Sequence, residues 1–224
     1  MWPVISSPVD PFGSLQVRVA YDTLADAYAE HLPDTRAEAP IDLAMVDTFL
    51  KAVRSASDPQ VLDAGCGAGR MSRYVADRGC LVHGLDLSRG MVARARRDHP
   101  GLTFTVGSLG ALPYPDDRFA GVLLWYSAIH TPAAGQARIF AEVSRVLRPG
   151  GHLLVGFQSG SGTRDLAASY RRLGHEVRLD RYLFTADEVA ARCEAAGLHE
   201  LCRMVRRPRG RERDDQAVLL AQAS

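Results

Sequence analysis

VLDAGCGAG, residues 61–69, sets three glycines within five positions directly behind a short apolar run. Glycine is tolerated best where the backbone turns sharply or something approaches it closely, because it carries no Cβ. An apolar run that ends in such a loop and leads into an amphipathic segment reads as strand, turn and helix. In the dinucleotide fingerprint G-x-G-x-x-G the third glycine falls three positions after the second. Here Gly65 and Gly67 fit, that third position is Arg70, and the glycine comes one early at Gly69. The spacing argues against a nicotinamide or flavin dinucleotide.

Outward from this loop the same alternation continues. QVLDAG, CLVHGLD, LTFTVG, FAGVLLWYS and GHLLVGF are short apolar runs, separated by RMSRYVADRG, SRGMVARARRDH and AGQARIFAEVSRVLRPGG. Continuous apolar runs suit strands buried on both faces, and their alternation with helices indicates a parallel sheet. Ser88 caps a helix from about Arg89 to His99, stopped by Pro100-Gly101. LRPGGHLLV ends a helix at Pro149 and turns through Gly150-Gly151 into a strand. TADEVAARCEAAG is a helix opened by Thr185 and closed by Gly197. LHELCRMVR and QAVLLAQA are two strand-like runs joined by RPRGRERDD, a hairpin-like ending that gives the sheet an antiparallel strand. Upstream, VRVAYDTLADAYAEHL and IDLAMVDTFLKAV have helical periodicity, broken between Pro33 and Pro40.

With 224 residues the chain fits one generous domain. The expected organisation is a single domain over 1–224, with a flexible N-terminal segment at 1–16, cap helices at 17–56 and a less regular insertion at 160–183. A net charge of +1 gives no global reason to expect nucleic acid or an anionic membrane. No secretory signal opens the chain, and no apolar run approaches the ~20 residues of a membrane span. Cys66, Cys80, Cys193 and Cys202 have no C-x-x-C spacing, so they read as buried thiols in a reducing cytoplasm rather than a zinc or disulfide set.

LDAGCGAGR, GLDLS and RVLRPGGHLLV, in that order, resemble the class I S-adenosylmethionine-dependent methyltransferases, in particular the small-molecule branch. The resemblance spans about residues 17–224. It implies a Rossmann-like, doubly wound α/β fold with seven strands, mostly parallel with an antiparallel C-terminal strand, and helices on both faces. It implies S-adenosyl-L-methionine as cofactor, S-adenosyl-L-homocysteine as product and no metal. By position it assigns the first motif to Asp63, Gly65, Cys66, Gly67 and Gly69, the ribose to Asp86, and the adenine flanks to Leu87 and Met91. Ser108 stands where many relatives carry an acid toward the adenine amino group, so that contact weakens or passes to Leu109. Trp125 and Tyr126 fall where methionine and acceptor pockets meet, and Tyr21 and Tyr28 match tyrosines that cover the cofactor.

The implied reaction is in-line methyl transfer to a small-molecule acceptor, and it needs a general base only if the acceptor must lose a proton. His130, a few residues past the fourth strand run, is the candidate base, with Tyr126 beside it at the acceptor side. The insertion carries Arg164, Arg171, Arg172, His175, Arg178 and Arg181, which suit either a solvated face or an acceptor anion. Two alternatives stay open at this point: a tRNA or rRNA methyltransferase, toward which RRPRGRER points, and a protein that holds the cofactor without transferring methyl. The same stretch, 206–213, reads otherwise as a solvated turn. Neither the acceptor nor the oligomeric state is written in the sequence.

Overall fold

Strand order 3-2-1-4-5 is the doubly wound arrangement, and the computed structural model has it, describing residues 14–56, 58–172, 174–210 and 212–224. The strands of the main sheet are β1 (Gln60–Ala64), β2 (Leu81–Asp86), β3 (Thr103–Val106), β4 (Phe119–Trp125), β5 (Leu147–Ser159), β8 (Leu198–Arg206) and β9 (Asp215–Ala223). They lie in the order β3-β2-β1-β4-β5-β9-β8. β1 to β5 pair in parallel, and β9 runs antiparallel to both neighbours, as the hairpin-like ending implies. Seven of seven residues in β4 are buried, the signature of a strand covered on both faces.

The helices are α1 (Ser14–His31), α2 (Pro40–Val53), α3 (Arg70–Ala76), α4 (Arg89–Asp98), α5 (Ala133–Val146), α6 (Ala167–Arg171) and α7 (Ala186–Ala195). Two large cores flank the sheet. Ile139, Phe140 and Val143 of α5 and Val189 of α7 pack on one face, and Phe49 and Val53 of α2 with Met71 and Val75 of α3 on the other. α2 is therefore a layer of the sandwich, and within 17–56 only α1 has the position of a cap. Ser88 accepts from the Met91 N–H and Thr185 forms a capping box with Glu188, so the two caps read from the sequence are present.

Other boundaries differ from the sequence reading. Residues 14–16, expected within a loose segment, already belong to α1, whose Ala20 and Leu24 are buried against Val177 and Leu179; residues 1–13 lie outside the described residues. α5 stops at Val146, before Pro149, and Leu147 already pairs with Phe119. Pro149 has no N–H to give a ladder, and the register shifts across it until Gly121 pairs with His152. The insertion is more regular than its composition suggests. β6 (Gly162–Asp165) and β7 (Asp180–Leu183) form a second, two-stranded sheet around α6. Cys66, Cys80 and Cys193 are buried, whereas Cys202 is exposed because β8 is the outer edge of the sheet.

Candidate functional site

Between β1 and β4 the chain switches from winding one way to winding the other, which opens a crevice at the carboxyl ends of the strands. A pocket of about 1010 Å³, its open mouth included, occupies that crevice. The glycine loop forms its floor. Gly65, at φ +83°, has no room for a side chain because Ser127 stands where its Cβ would be. A Cβ on Gly67 would meet only Tyr28 Cε1 at 3.8 Å, so this backbone is open to the pocket. Gly69 is not part of the lining: it precedes α3 and packs beneath His99 and Phe104. Its absence of a side chain serves the closeness of loop to neighbours rather than to a ligand.

Asp86 ends β2 and holds the loop in shape. Its Oδ2 accepts the Gly67 N–H and its Oδ1 the Ser88 N–H, each at 2.8 Å. Burial raises its pKa, and the two backbone donors oppose that. Asp63, 1% exposed in β1, accepts the Ser72 hydroxyl at 2.6 Å, and burial pushes its carboxyl up to about 6. Cys66, Leu87, Met91, Ser108 and Leu109 also line the pocket. The Ser108 hydroxyl accepts from the Gly110 N–H at 3.2 Å, a turn contact that shapes the loop after β3.

On the opposite wall stand Tyr21 and Tyr28 of α1, edge to face at 6.0 Å, with both phenol pKa values raised by burial. Trp125 and Tyr126, perpendicular at 5.2 Å, close the end of β4. Tyr126 has φ +54°, a strained value for a residue with a Cβ, yet its N–H still donates to Gly156 O at 2.8 Å. The strain turns the chain out of β4 at the pocket.

His130 also lines the pocket, in a 3-10 turn over Ala128–His130. Its Nδ1 lies 2.6 Å from Asp180 O and its Nε2 2.9 Å from the Tyr21 hydroxyl. A carbonyl only accepts, so Nδ1 carries the proton and Nε2 accepts from Tyr21. Burial pulls the imidazole down to about 4. The expected base is thus neutral and its one lone pair is in use. The structure gives it the geometry of a brace that fixes Tyr21.

Three participants escaped the sequence reading. Arg70 pairs with Glu38 at 2.7 Å in a nearly buried bridge, and Glu38 also accepts the Trp125 indole N–H at 2.8 Å. Asp22 accepts the Ser88 hydroxyl and the Gly90 N–H, fixing α1 to the start of α4. Arg70 was visible as the occupant of the missing glycine position; Glu38 and Asp22 had no local signal. Among the described residues no group of three or more His, Cys, Asp or Glu is placed to hold a metal ion, and no helix is long and apolar enough to cross a membrane.

A family described as "Methyltransferase domain" matches residues 61–151. The malonyl-[acyl-carrier protein] O-methyltransferase of Pseudescherichia vulneris is 31% identical over 180 residues, covering 80% of this chain and 67% of that protein. The chain belongs to the class I S-adenosylmethionine-dependent methyltransferases. It spans about half to two thirds of the length of the first curated relatives it matches in this family. Among solved structures, the 1,6-didemethyltoxoflavin-N1-methyltransferase of Burkholderia thailandensis superposes with a TM-score of 0.70 at 21% identity, covering all of this chain and 93% of that one. The [4+2]-cyclase SpnF has the same TM-score at 20% identity, covering 94% of this chain and 96% of its own. These two likenesses concern the methyltransferase fold.

Proposed function

We propose that this chain is an enzyme that transfers a methyl group from S-adenosyl-L-methionine to a small-molecule acceptor by in-line displacement, leaving S-adenosyl-L-homocysteine. The observation that carries the reading is the convergence on one pocket of the open Gly67 backbone, the Asp86 carboxylate and the Trp125–Tyr126 strand end. The residues fit the cofactor. Each Asp86 oxygen accepts one backbone N–H and retains a lone pair for a ribose hydroxyl. Leu87 and Met91 offer apolar walls to a base, and the Ser127 hydroxyl is buried without a partner. The relatives support the same class, since one is named an O-methyltransferase and one an N1-methyltransferase.

When bound, the cofactor supplies a sulfonium-activated methyl electrophile. The chain's part is to orient, to enclose and to exclude water. Tyr21 and Tyr28 cover the pocket, with His130 fixing the Tyr21 hydroxyl. Holding an acceptor in line in this way accounts for up to about 7–11 kcal/mol of a barrier. His130 acts as a positioning residue, so the acceptor arrives as a nucleophile that requires no proton removal by it. Calorimetric titration with S-adenosylmethionine, S-adenosylhomocysteine and NAD, then transfer of labelled methyl over a metabolite panel, tests the reading. Binding of the first two and transfer to a metabolite is expected. Affinity for NAD alone, or cofactor binding with methyl passing only to RNA, overturns it.

A further inference from the structure

Two guanidinium groups share one carboxylate beside the Tyr21–His130 wall. β6 and β7 pair Arg164 with Arg181, and both reach Asp214, a residue 7% exposed just before β9. Arg164 satisfies that carboxylate: its Nε donates to the two oxygens at 2.8 and 2.9 Å, and its Nη2 donates as well. Arg181 Nη1 stands 3.9 Å away, beyond hydrogen-bond range, and its buried Nε has no partner. The trio therefore keeps one positive charge, and it is Arg181 that holds it.

That charge lies beside the His130 turn, which lines the pocket. Burial raises the phenol pKa of Tyr21 and of Tyr170 and the Arg181 charge opposes that rise; burial lowers His130 and the same charge adds to it. The carbonyl that fixes His130 belongs to Asp180, the residue before it. Of the charges that line the pocket, Asp63 is held by Ser72 and Arg70 by Glu38, while Asp86 takes two backbone N–H groups and keeps its remaining lone pairs for the cofactor. Among the described residues, Arg181 is the arginine whose buried Nε has no partner. A buried N–H left unpaired costs about 1–3 kcal/mol, and a guanidinium recovers most from a planar or tetrahedral oxyanion.

We infer that Arg181 receives an oxyanion, carboxylate or phosphate, carried by the methyl acceptor; the inference rests on the methyl-transfer reading above. Asp214 is then a competitor that sets the strength of the site, while Arg164 keeps Asp214 from neutralising Arg181.

The test is titration of malonate, inorganic phosphate and neutral malonamide into the protein saturated with S-adenosylhomocysteine, and into the free chain. Saturable binding of malonate or phosphate, but not of malonamide, is expected, and the stronger anion names the source. Arg181→Gln weakens it about tenfold or more, with S-adenosylhomocysteine binding unchanged. Arg181→Lys retains part of it, Asp214→Asn strengthens it severalfold, and exposed Arg171→Gln leaves it unchanged. Should Arg181→Gln not fold, the opposite signs of Arg181→Lys and Asp214→Asn decide. Malonamide binding as well as malonate, an unaffected Arg181→Gln, or no saturable anion binding overturns the inference. Loss of S-adenosylhomocysteine binding in the unaltered protein would strike the cofactor reading instead, while the free-chain titration still judges the anion site.

Discussion

At the scale of single residues, Asp86 has two duties, shaping the glycine loop and facing the pocket. Asp86→Ala removes both backbone bonds, so cofactor affinity falls by about 2–4 kcal/mol in calorimetry, as charge-assisted bonds require. An unchanged dissociation constant in a folded variant would take Asp86 out of the site. Asp63 and His130 make a sharper pair. An unfolded aspartate titrates near ~3.9, and in the fold Asp63 is held at about 6. Folding favours its protonated form, so its contribution is whole below the unfolded value and is lost as pH rises through about 6. His130 falls from 6.5 to about 4. Folding favours its neutral form, so its contribution is whole above the unfolded value and is lost as pH falls through about 4. Each is worth on the order of 3 kcal/mol. Between those pH limits the slopes oppose. His130→Gln becomes less stable as pH rises across this window, and Asp63→Asn becomes more stable. Urea unfolding over a pH series reads this, and parallel slopes in the two variants would contradict it. The positions of both residues were legible from motif and strand-end placement. The tautomer of His130 was not, because it depends on Asp180, fifty residues on in the chain.

Among elements, what a short window specifies by itself was readable: β1 and its loop, the Ser88 and Thr185 caps, the fully apolar β4. What long-range packing specifies was hidden. β6 and β7 have four residues each, β6 exposed and β7 mostly half-buried, so no apolar alternation announced them. The 206–213 stretch reads as a solvated turn, which suits exposed Arg209 but not Arg206. Arg206 Nη2 meets Asp42 Oδ2 at 2.6 Å with side-chain exposures of 11% and 2%, and Glu212 joins the pair from the connection itself. It fastens the β8–β9 turn to α2. Arg206→Met leaves the buried Asp42 without its cation and lowers stability by about 3–5 kcal/mol. Arg209→Ala changes it by no more than about 0.5 kcal/mol. Chemical denaturation of the two variants separates them, and equal effects would mean that Asp42 is not held by Arg206.

The whole molecule concentrates its binding at one place, since the strand order opens the sheet at the β1–β4 switch, beneath α1. Tyr21 of α1 is tied to His130 after β4, Asp22 to Ser88 after β2, and Glu38 joins Arg70 after the glycine loop to Trp125 at the end of β4. A ligand seated there touches the glycine loop, the end of β2, the end of β4 and α1 at once. It therefore binds the folded chain and has nothing comparable to bind in the unfolded one. Linkage then fixes the outcome: at a concentration one hundred times its dissociation constant, such a ligand adds about 2.7 kcal/mol. For a chain of this length each kcal/mol raises the midpoint of thermal unfolding by roughly 2–4 °C. S-adenosylmethionine and S-adenosylhomocysteine should thus each raise it by about 5–10 °C at that saturation. NAD should leave it in place, because Arg70 and its bridge to Glu38 occupy the position where the dinucleotide fingerprint requires a bare glycine. Differential scanning calorimetry with the three ligands decides it, and a shift with NAD equal to that with the sulfonium cofactor would refute the assignment of this pocket.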